Sequence, residues 1–509
     1  MGKRETGKNR EKETRTGNKI PVRVKEVYFE QEPEPVTGKG RNTELGIVTY
    51  TFVLIFLVMI GYLVYLNVWK AEELNSSVYN TKQDANTEKY IRGSILSSDG
   101  SILAKTTVTE SGEEIREYPY ANVFSHIIGY SSNGKSGLEA SCNYDLLTSH
   151  ASVLSQIRTE ENDEKMQGDS IVVTLNAQLQ SVAYQALGSY KGAVVAIEPD
   201  TGKILAMVSK PDYDPNQIEE IWESLITDSS SSVLLNRATQ GLYPPGSTFK
   251  IMTTLAYMRQ QPGAYRSYSY DCTSQLTVND VTINCYNNKV HGQEDLQTAF
   301  ARSCNTAFAQ LGMELDNEDF RSMCEEFLFN KSLPTTMQHS TSQFALDSDS
   351  SYGEQMTTAI GQGNTLVTPL HMALITATVA NGGVMMKPYC VDRIETVDGD
   401  IVSKTNPAKY KRLMTTEEAT INSEYMEATV SGGTGETRSW YNFTAAGKTG
   451  SAEYVSNGYE GTHSWFVGYC NVDNPDLVVA VIAEDGGTGS ETAVPIAAQI
   501  FQAYYDIFG

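Results

Sequence analysis

The chain has few of the residues, and none of the spacings, that mark a metalloprotein. Its 509 residues include six histidines and seven cysteines. No two histidines form an HExxH pair, and no two cysteines have the short separation typical of zinc sites. We therefore expect no metal and no other cofactor.

A basic excess is also lacking, which argues against a nucleic-acid ligand. The net charge is −23, and from Lys70 onward 54 acidic residues stand against 28 basic ones. Phosphates would be repelled by such a surface. Residues 1–44 differ, with eleven basic and eight acidic residues. Their polar composition predicts a disordered tail.

Charge is absent altogether from Leu45 to Trp69. About 20 apolar residues can cross a bilayer as a helix, so we predict a single transmembrane helix over 45–69. The length and the long preceding segment disfavour the alternatives, a buried core helix and a cleaved signal peptide. The basic flank predicts a cytoplasmic N-terminus and an extracytoplasmic remainder.

Beyond the membrane span the pattern predicts an α+β protein without solenoid repeats. Residues 70–166 are expected to form a stalk and a small pedestal module, and residues 167–509 the main domain. Strands are predicted near both ends of the main domain, with helices between them and a closing helix from Ala493 to Phe508. This order favours a five-stranded antiparallel sheet covered by helices.

One motif supplies a nucleophile without a histidine base. Ser247-Thr248-Phe249-Lys250 follows two prolines and a glycine, and a helix is predicted from Thr248 to Met258. Positions i and i+3 of a helix are neighbours, so Lys250 should lie beside the Ser247 hydroxyl. A serine is a weak nucleophile until a base removes its proton. Ser132 and Lys135 have the same spacing, but Asn133-Gly134 between them favours a turn.

Two later motifs supply the other polar and charged groups that serine acyl transfer needs. Ser303-Cys304-Asn305 could relay a proton and hold a substrate amide, although a helix cap is the ordinary role of such residues. Lys448-Thr449-Gly450 offers a charge, a hydroxyl and room for a substrate backbone. A phosphate-binding loop ending in Gly-Lys-Thr is excluded, because position 442 is Asn where that loop needs Gly.

The cysteines all lie beyond the membrane span. Cys272 and Cys285 bracket a turn-rich stretch and are the best candidates for a disulfide, with two reduced thiols as the alternative. The others stand singly in apolar or mixed stretches and are interpreted as small core residues. These are Cys142, Cys304, Cys324, Cys390 and Cys470.

The three motifs, in this order, resemble the transpeptidase domain of penicillin-binding proteins. Further stretches resemble the membrane-anchored class B group, and the resemblance runs from about Arg92 to the C-terminus. These stretches are Arg92-Gly93-Ser94-Ile95, Gly137-Leu138-Glu139, Asn236-Arg237-Ala238, Tyr243-Pro244-Pro245-Gly246, Gly361-Gln362-Gly363, Gly447-Lys448-Thr449-Gly450-Ser451-Ala452-Glu453 and Trp465-Phe466-Val467-Gly468.

The resemblance implies a β-lactam-sensitive D,D-transpeptidase that crosslinks peptidoglycan stem peptides at the bacterial cell membrane, with a penicillin-binding/β-lactamase-like fold and a dimerisation-like pedestal. It implies the following roles. Ser247 is the nucleophile, Lys250 the base, Ser303 and Lys448 the proton relay, Asn305 the peptide clamp, Thr449, Gly450 and Ser451 the substrate strand, and the Ser247 and Ser451 backbone N–H groups the oxyanion hole.

One position departs from the family pattern, because Ser451 stands where Thr is usual. The hydroxyl is retained. The family also implies a membrane glycan polymerase of the SEDS class as partner, since no glycosyltransferase domain is evident here. Other interpretations are a D,D-carboxypeptidase or β-lactamase of the same superfamily, and a non-catalytic scaffold or β-lactam sensor. The residues do not distinguish division, elongation and sporulation.

Overall fold

The computed structural model describes residues 39–66, 87–162, 164–228, 231–437, 443–456 and 459–509. They belong to two compact units, Met1–Glu72 and Glu73–Gly509. Most of the predicted tail and most of the predicted stalk lie outside the described residues.

The first unit contains the predicted apolar helix, which spans Lys39–Tyr65. At a rise of about 1.5 Å per residue, its 27 residues reach about 40 Å, more than the roughly 30 Å hydrocarbon core of a bilayer. The stretch Thr43–Tyr65 has a mean hydropathy of 2.5, and none of it is buried within the structure. By length and composition the helix can therefore cross a membrane, and it begins six residues earlier than predicted.

The second unit contains nineteen described strands. In chain order they are β1 Tyr90–Ile91, β2 Ile95–Leu96, β3 Ile102–Val108, β4 Glu114–Glu117, β5 Met166–Gln167, β6 Ser170–Val173, β7 Gly192–Ile197, β8 Ile204–Lys210, β9 Tyr270–Cys272, β10 Gln275–Val278, β11 Val281–Asn284, β12 Gly292–Glu294, β13 Val384–Met386, β14 Val391–Glu395, β15 Ile401–Lys404, β16 Lys409–Arg412, β17 Ala445–Ser456, β18 Tyr459–Cys470 and β19 Leu477–Ala483.

The helices of the second unit lie mostly between β8 and β17. They are Ser125–Ile128, Gly137–Ser141, Asn143–Leu146, Val153–Glu161, Ala177–Leu187, Ile218–Thr227, Lys250–Gln260, Leu296–Ala301, Asn305–Glu314, Asn317–Glu326, Tyr352–Ala359, Pro369–Ala380, Thr416–Gly432 and Val494–Phe508.

The pedestal is built on a six-stranded sheet with the order β15-β14-β6-β2-β3-β4. Three of these strands lie beyond residue 166, so distant parts of the chain complete the sheet. Beside it, the fully buried Glu139 accepts hydrogen bonds from Arg92 Nε at 2.5 Å and Arg116 Nε at 2.8 Å. Burial alone would raise the pKa of Glu139, but the two guanidinium groups hold it below its ordinary value.

The main sheet has the order β17-β18-β19-β7-β8, and every neighbouring pair is antiparallel. Helices Ala177–Leu187 and Val494–Phe508 form the apolar layer on one face. Pro369–Ala380 packs against the same sheet and is buried almost throughout, which explains why it is predominantly apolar and carries no Asp, Glu, Lys or Arg. The predicted five-stranded antiparallel sheet and the α+β fold are confirmed.

Candidate active site

The site begins at a tight turn that the sequence forces before Ser247. Gly246 has φ +53°, and a Cβ there would lie 3.1 Å from Ala452 Cβ on β17, so glycine is needed. Its N–H donates to the Gly361 carbonyl at 2.8 Å. The turn therefore holds Ser247 next to the edge strand of the main sheet.

The helix predicted from Thr248 starts as a 3₁₀ turn, Gly246–Phe249, and becomes α-helical at Lys250. In a 3₁₀ turn, side chains at i and i+3 lie one above the other. Ser247 and Lys250 consequently share a face. Ser247 is half-buried, whereas Lys250 is fully buried.

Lys250 connects the first motif to the second. Its Nζ donates to Asn305 Oδ1 at 2.8 Å, to the Ser303 carbonyl at 2.9 Å and to Ser303 Oγ at 3.2 Å. The Phe308 ring lies 5.1 Å from the same nitrogen. Burial disfavours the charged amine and lowers the pKa of Lys250 to about 8.

Lys448 reaches the same hydroxyl from the third motif. It lies on β17, is fully buried, and its Nζ donates to Ser303 Oγ at 3.0 Å and to the Thr449 carbonyl at 3.1 Å. Burial lowers its pKa well below the ordinary value, and the charge of Lys250 lowers it further. Ser303 Oγ thus accepts from two amines, which leaves its own proton for a third partner.

The second motif has a backbone geometry that its sequence does not suggest. Ser303 has φ +56°, in the left-handed region that residues with a Cβ rarely adopt. It lies between helix Leu296–Ala301 and helix Asn305–Glu314, with Cys304 as the N-cap of the second helix. Asn305 Nδ2 donates to the Asn284 carbonyl at 3.0 Å. The loop directs both the Ser303 and Asn305 side chains at Lys250.

Strand β17 carries the remaining predicted residues. Thr449 and Ser451 share one face of the strand, since side chains alternate along it. Thr449 Oγ1 is 2.5 Å from Thr434 Oγ1, and Ser451 Oγ accepts from the Gly489 N–H at 3.3 Å.

Gly450 is surrounded by the protein itself. A Cβ there would lie 3.0 Å from Trp465 Cβ and 3.1 Å from the Pro245 carbonyl. We expected this glycine to admit a substrate backbone. In the structure, packing between β17, β18 and the turn before Ser247 already requires it.

The structure therefore brings Lys250, Ser303, Asn305 and Lys448 into one hydrogen-bonded group, with Ser247 one helical turn from Lys250. Sequence reasoning missed two residues at this place. Thr434 contacts Thr449, and the only sequence feature that could have pointed to it is the glycine-rich turn in which it lies. Gln362 was noted for its resemblance without a role.

When the Gln362 amide is oriented with its nitrogen toward the Glu453 carbonyl, it donates to that carbonyl and accepts from the Glu453 N–H, each at 3.0 Å. Glu453 belongs to β17, so this pair ties the loop that contains Gly361 to the edge strand. The same loop holds Gly246 through its carbonyl. Both walls of the site are thus fixed to one segment.

The candidate disulfide is not formed in the structure. Cys272 and Cys285 are free thiols whose Sγ atoms lie 3.7 Å apart, beyond the roughly 2.05 Å of an S–S bond. They do lie close together, as the turn-rich stretch between them suggested. Cys142, Cys304, Cys324, Cys390 and Cys470 are all buried, as expected of small core residues.

Two family models match the chain. The penicillin binding protein transpeptidase domain matches residues 192–502, and the penicillin binding protein A dimerisation domain matches residues 92–171. The first match includes all three motifs and the whole main sheet. The second includes the strands β2, β3 and β4 and the Arg92–Glu139–Arg116 cluster.

Individual proteins are similar over most of their length. The peptidoglycan D,D-transpeptidase PbpA of Mycolicibacterium smegmatis is 30% identical over 484 residues, covering 89% of this chain and 97% of that protein. The D,D-transpeptidase domain of a peptidoglycan glycosyltransferase from Eggerthella lenta is 30% identical, with a TM-score of 0.73 and coverage of 82% and 99%.

A third similar protein was captured with an antibiotic bound. The penicillin G acyl-enzyme complex of penicillin-binding protein A from M. tuberculosis is 30% identical, with a TM-score of 0.75, and covers 82% of this chain and 100% of that one. An acyl-enzyme formed with a β-lactam is therefore a state observed on this fold.

Proposed function

The chain belongs to the penicillin-binding protein transpeptidase family, and on that basis we propose that it is a peptidoglycan D,D-transpeptidase acting through an acyl-enzyme at Ser247. The observation that carries the proposal is the convergence of two buried lysines, Lys250 and Lys448, on the Ser303 hydroxyl, with Lys250 one helical turn from Ser247. This group contains a base and a proton relay, and it needs no histidine.

In the first step Lys250 acts as the base. At pH 7 a group with a pKa of about 8 is neutral about one tenth of the time. A neutral amine has two N–H groups, which its two shortest contacts, Asn305 Oδ1 and the Ser303 carbonyl, can accept. The lone pair is then available for the Ser247 proton.

These groups can carry out the acyl transfer. Ser247 Oγ attacks the penultimate D-Ala carbonyl, and the peptide C–N bond breaks. The terminal D-Ala leaves with a proton that reaches its nitrogen through Ser303 and Lys448. The backbone N–H groups of Ser247 and Ser451 would hold the oxyanion. An acceptor amine then attacks the ester carbonyl, the C–O bond to Ser247 breaks, and the proton lost by the amine returns to Ser247 Oγ through Lys250.

The edge strand would bind the donor peptide. Thr449 and Ser451 present their hydroxyls on one face of β17, where the terminal carboxylate of the donor can accept from both. The Asn305 amide would hold the peptide backbone. A β-lactam presents the same carboxylate and a reactive amide, so it should acylate Ser247 and leave a long-lived adduct.

Labelling with a fluorescent penicillin tests the nucleophile. Ser247→Ala should abolish the label on the full-length protein, whereas Ser132→Ala, in the other Ser-x-x-Lys sequence, should label normally. Retained labelling of Ser247→Ala would place the nucleophile elsewhere.

Product analysis with stem-peptide substrates then separates the related activities. A transpeptidase forms a crosslinked dimer as D-Ala is released. D-Ala release without dimers would favour a carboxypeptidase, and rapid loss of the penicilloyl adduct would favour a β-lactamase.

By its length and composition, the apolar helix of the described residues fits a single-pass membrane protein. We further propose that the chain's N-terminus is cytoplasmic and its catalytic unit extracytoplasmic. The support is the eleven Lys and Arg residues among residues 1–44, because basic residues next to a membrane span are retained in the cytoplasm. A SEDS-family glycan polymerase is the proposed partner, since a crosslinking enzyme needs newly made glycan strands.

A further inference from the structure

Four side chains with metal-binding atoms meet beside the second motif. They are Cys272 at the end of β9, Cys285 just after β11, His291 just before β12, and Cys304. Their ligand atoms all lie within 4.8 Å of one another, and the three cysteines are buried. No part of the proposed acyl transfer uses them.

The separations within this cluster fit a tetrahedral zinc site. A Zn–S bond of about 2.3 Å and tetrahedral angles place two sulfur ligands about 3.8 Å apart. Cys272 and Cys285 Sγ are 3.7 Å apart, and Cys285 and Cys304 Sγ are 3.8 Å apart. His291 Nδ1 lies 3.3 Å from Cys272 Sγ, against about 3.5 Å for a sulfur and a nitrogen on one zinc ion.

A disulfide explains the cluster less well. It would use two of the thiols and give no reason for a third thiol and an imidazole nitrogen at the same point. The surroundings also suit thiolates. Thr306 Oγ1 lies 3.3 Å from Cys272 Sγ and 3.4 Å from Cys304 Sγ, as a hydroxyl that supports metal ligands would.

We propose that Cys272, Cys285, Cys304 and His291 bind one Zn²⁺ ion. Binding releases three thiol protons and gives a site with net charge −1, in which the neutral imidazole coordinates through Nδ1. Four protein ligands leave no open position, so the site is structural. The inference stands apart from the acyl-transfer proposal, because metal binding can be measured without any reaction.

The position of the site gives it a role in the fold. Cys304 separates Ser303 from Asn305, and the other three ligands come from the segment between β9 and β12. A zinc ion would therefore tie the second motif to this segment. Ser303 has its backbone in the left-handed region, which is unfavourable for serine. Zinc coordination by the adjacent residue, Cys304, would stabilise that conformation.

Sequence spacing hides such a site. Twelve residues separate Cys272 from Cys285, five separate Cys285 from His291, and twelve separate His291 from Cys304. The ligands come from separate loops and strand ends, whereas the spacings that signal zinc in a sequence come from one tight turn. The sequence feature that could have indicated the site is Cys304, the middle residue of the second motif, which follows the two disulfide candidates closely in the chain.

The test starts with the full-length protein, purified in detergent without chelators. Elemental analysis should find one zinc per chain, and mass spectrometry after unfolding should find all seven cysteines alkylated. Zinc-free protein, or a mass two daltons lower with Cys272 and Cys285 protected from alkylation, would overturn the proposal.

Variants identify the ligands. Cys304→Ala and His291→Ala should lose the zinc, whereas Cys324→Ala, an equally buried cysteine elsewhere, should keep it. His291→Cys supplies a fourth thiolate and should retain the metal. With Co²⁺ in place of zinc, the thiolate-to-cobalt charge-transfer band should weaken in Cys304→Ala and strengthen in His291→Cys. An unchanged band in both would show that the metal binds elsewhere.

The positioning role has its own readout. Removing zinc with a chelator should lower the melting temperature and slow penicillin acylation, by up to about 100-fold if Ser303 shifts by 1 Å. Adding Zn²⁺ back should restore both. Chelator-treated protein that is verified as zinc-free and still acylates at the normal rate would refute this role.

Discussion

Ser303 Oγ is the atom at which the three motifs meet, and burying the charged groups around it costs free energy. Lys250 and Lys448 are both fully buried, and a buried ammonium pays a desolvation penalty that is offset only by its partners. This desolvation penalty lowers the pKa of both amines, so that each gives up its charge more readily. The same shift produces a usable base, so the energetic cost and the catalytic function have one origin.

Replacing Lys250 by arginine tests whether its neutral form is needed. Arginine keeps the charge and the donors but does not deprotonate in proteins. We expect Lys250→Arg to lose penicillin acylation by at least about 100-fold, the lower range for general base catalysis. Lys135→Arg, in the other Ser-x-x-Lys sequence, should acylate normally. Near-normal labelling of Lys250→Arg would rule out Lys250 as the base.

The pH profile follows from the same group. The pKa of Lys250 is lowered to about 8 by burial, so the neutral base is scarce at pH 6 and dominant at pH 9. The acylation rate should rise about tenfold per pH unit below 8 and level off above it. Initial rates of labelling, with circular dichroism at each pH to monitor folding, measure this. A rate that is flat from pH 6 to pH 9 would contradict the assignment.

The elements show what the sequence predicted and what it did not. β7 and β19 start and end where their apolar runs do, and Asn176, a residue type typical of N-caps, caps helix Ala177–Leu187 by accepting from the Leu179 N–H at 2.9 Å. These features depend on local pattern. The 3₁₀ turn at Ser247 was missed, because its geometry is imposed by Gly361 and Ala452, which are remote in the chain.

The second motif shows the same limit. A serine after a short helix suggests a cap, and nothing local predicts φ +56° at Ser303. That conformation is held by contacts with Lys250 and Lys448, 53 and 145 residues away. The motifs could therefore be recognised from the sequence, but their joint hydrogen-bond network required the fold.

In the pedestal, the buried Glu139 is the residue whose replacement should lower the free energy of unfolding most. Glu139→Ala leaves Arg92 and Arg116 buried without their shared carboxylate, which costs about 3–5 kcal/mol in comparable sites. Glu114→Ala breaks the exposed pair with Lys165 and should cost about 1 kcal/mol or less. Denaturant unfolding of both variants measures the difference. Equal free energies of unfolding would refute a structural role for the cluster.

At the scale of the whole molecule, charge is divided at the apolar helix. Residues 1–44 have a basic excess of three, and the chain beyond Lys70 has an acidic excess of 26. Basic segments near a span are retained in the cytoplasm, whereas acidic residues have little influence on orientation, so the basic tail is what predicts export of the remainder. The proposed reaction calls for the same orientation, because an enzyme that crosslinks the cell wall must reach it from outside the membrane.

Protease treatment of spheroplasts tests this topology with the full chain. With a tag at each end, external trypsin should remove the C-terminal tag and the penicillin label. A small N-terminally tagged fragment containing the apolar helix should survive until the membrane is dissolved. The physical reason is that the intact bilayer shields the helix and the segment on its inner side, so trypsin reaches only the outer side. Loss of the N-terminal tag, with the penicillin-labelled unit protected, would reverse the assigned orientation.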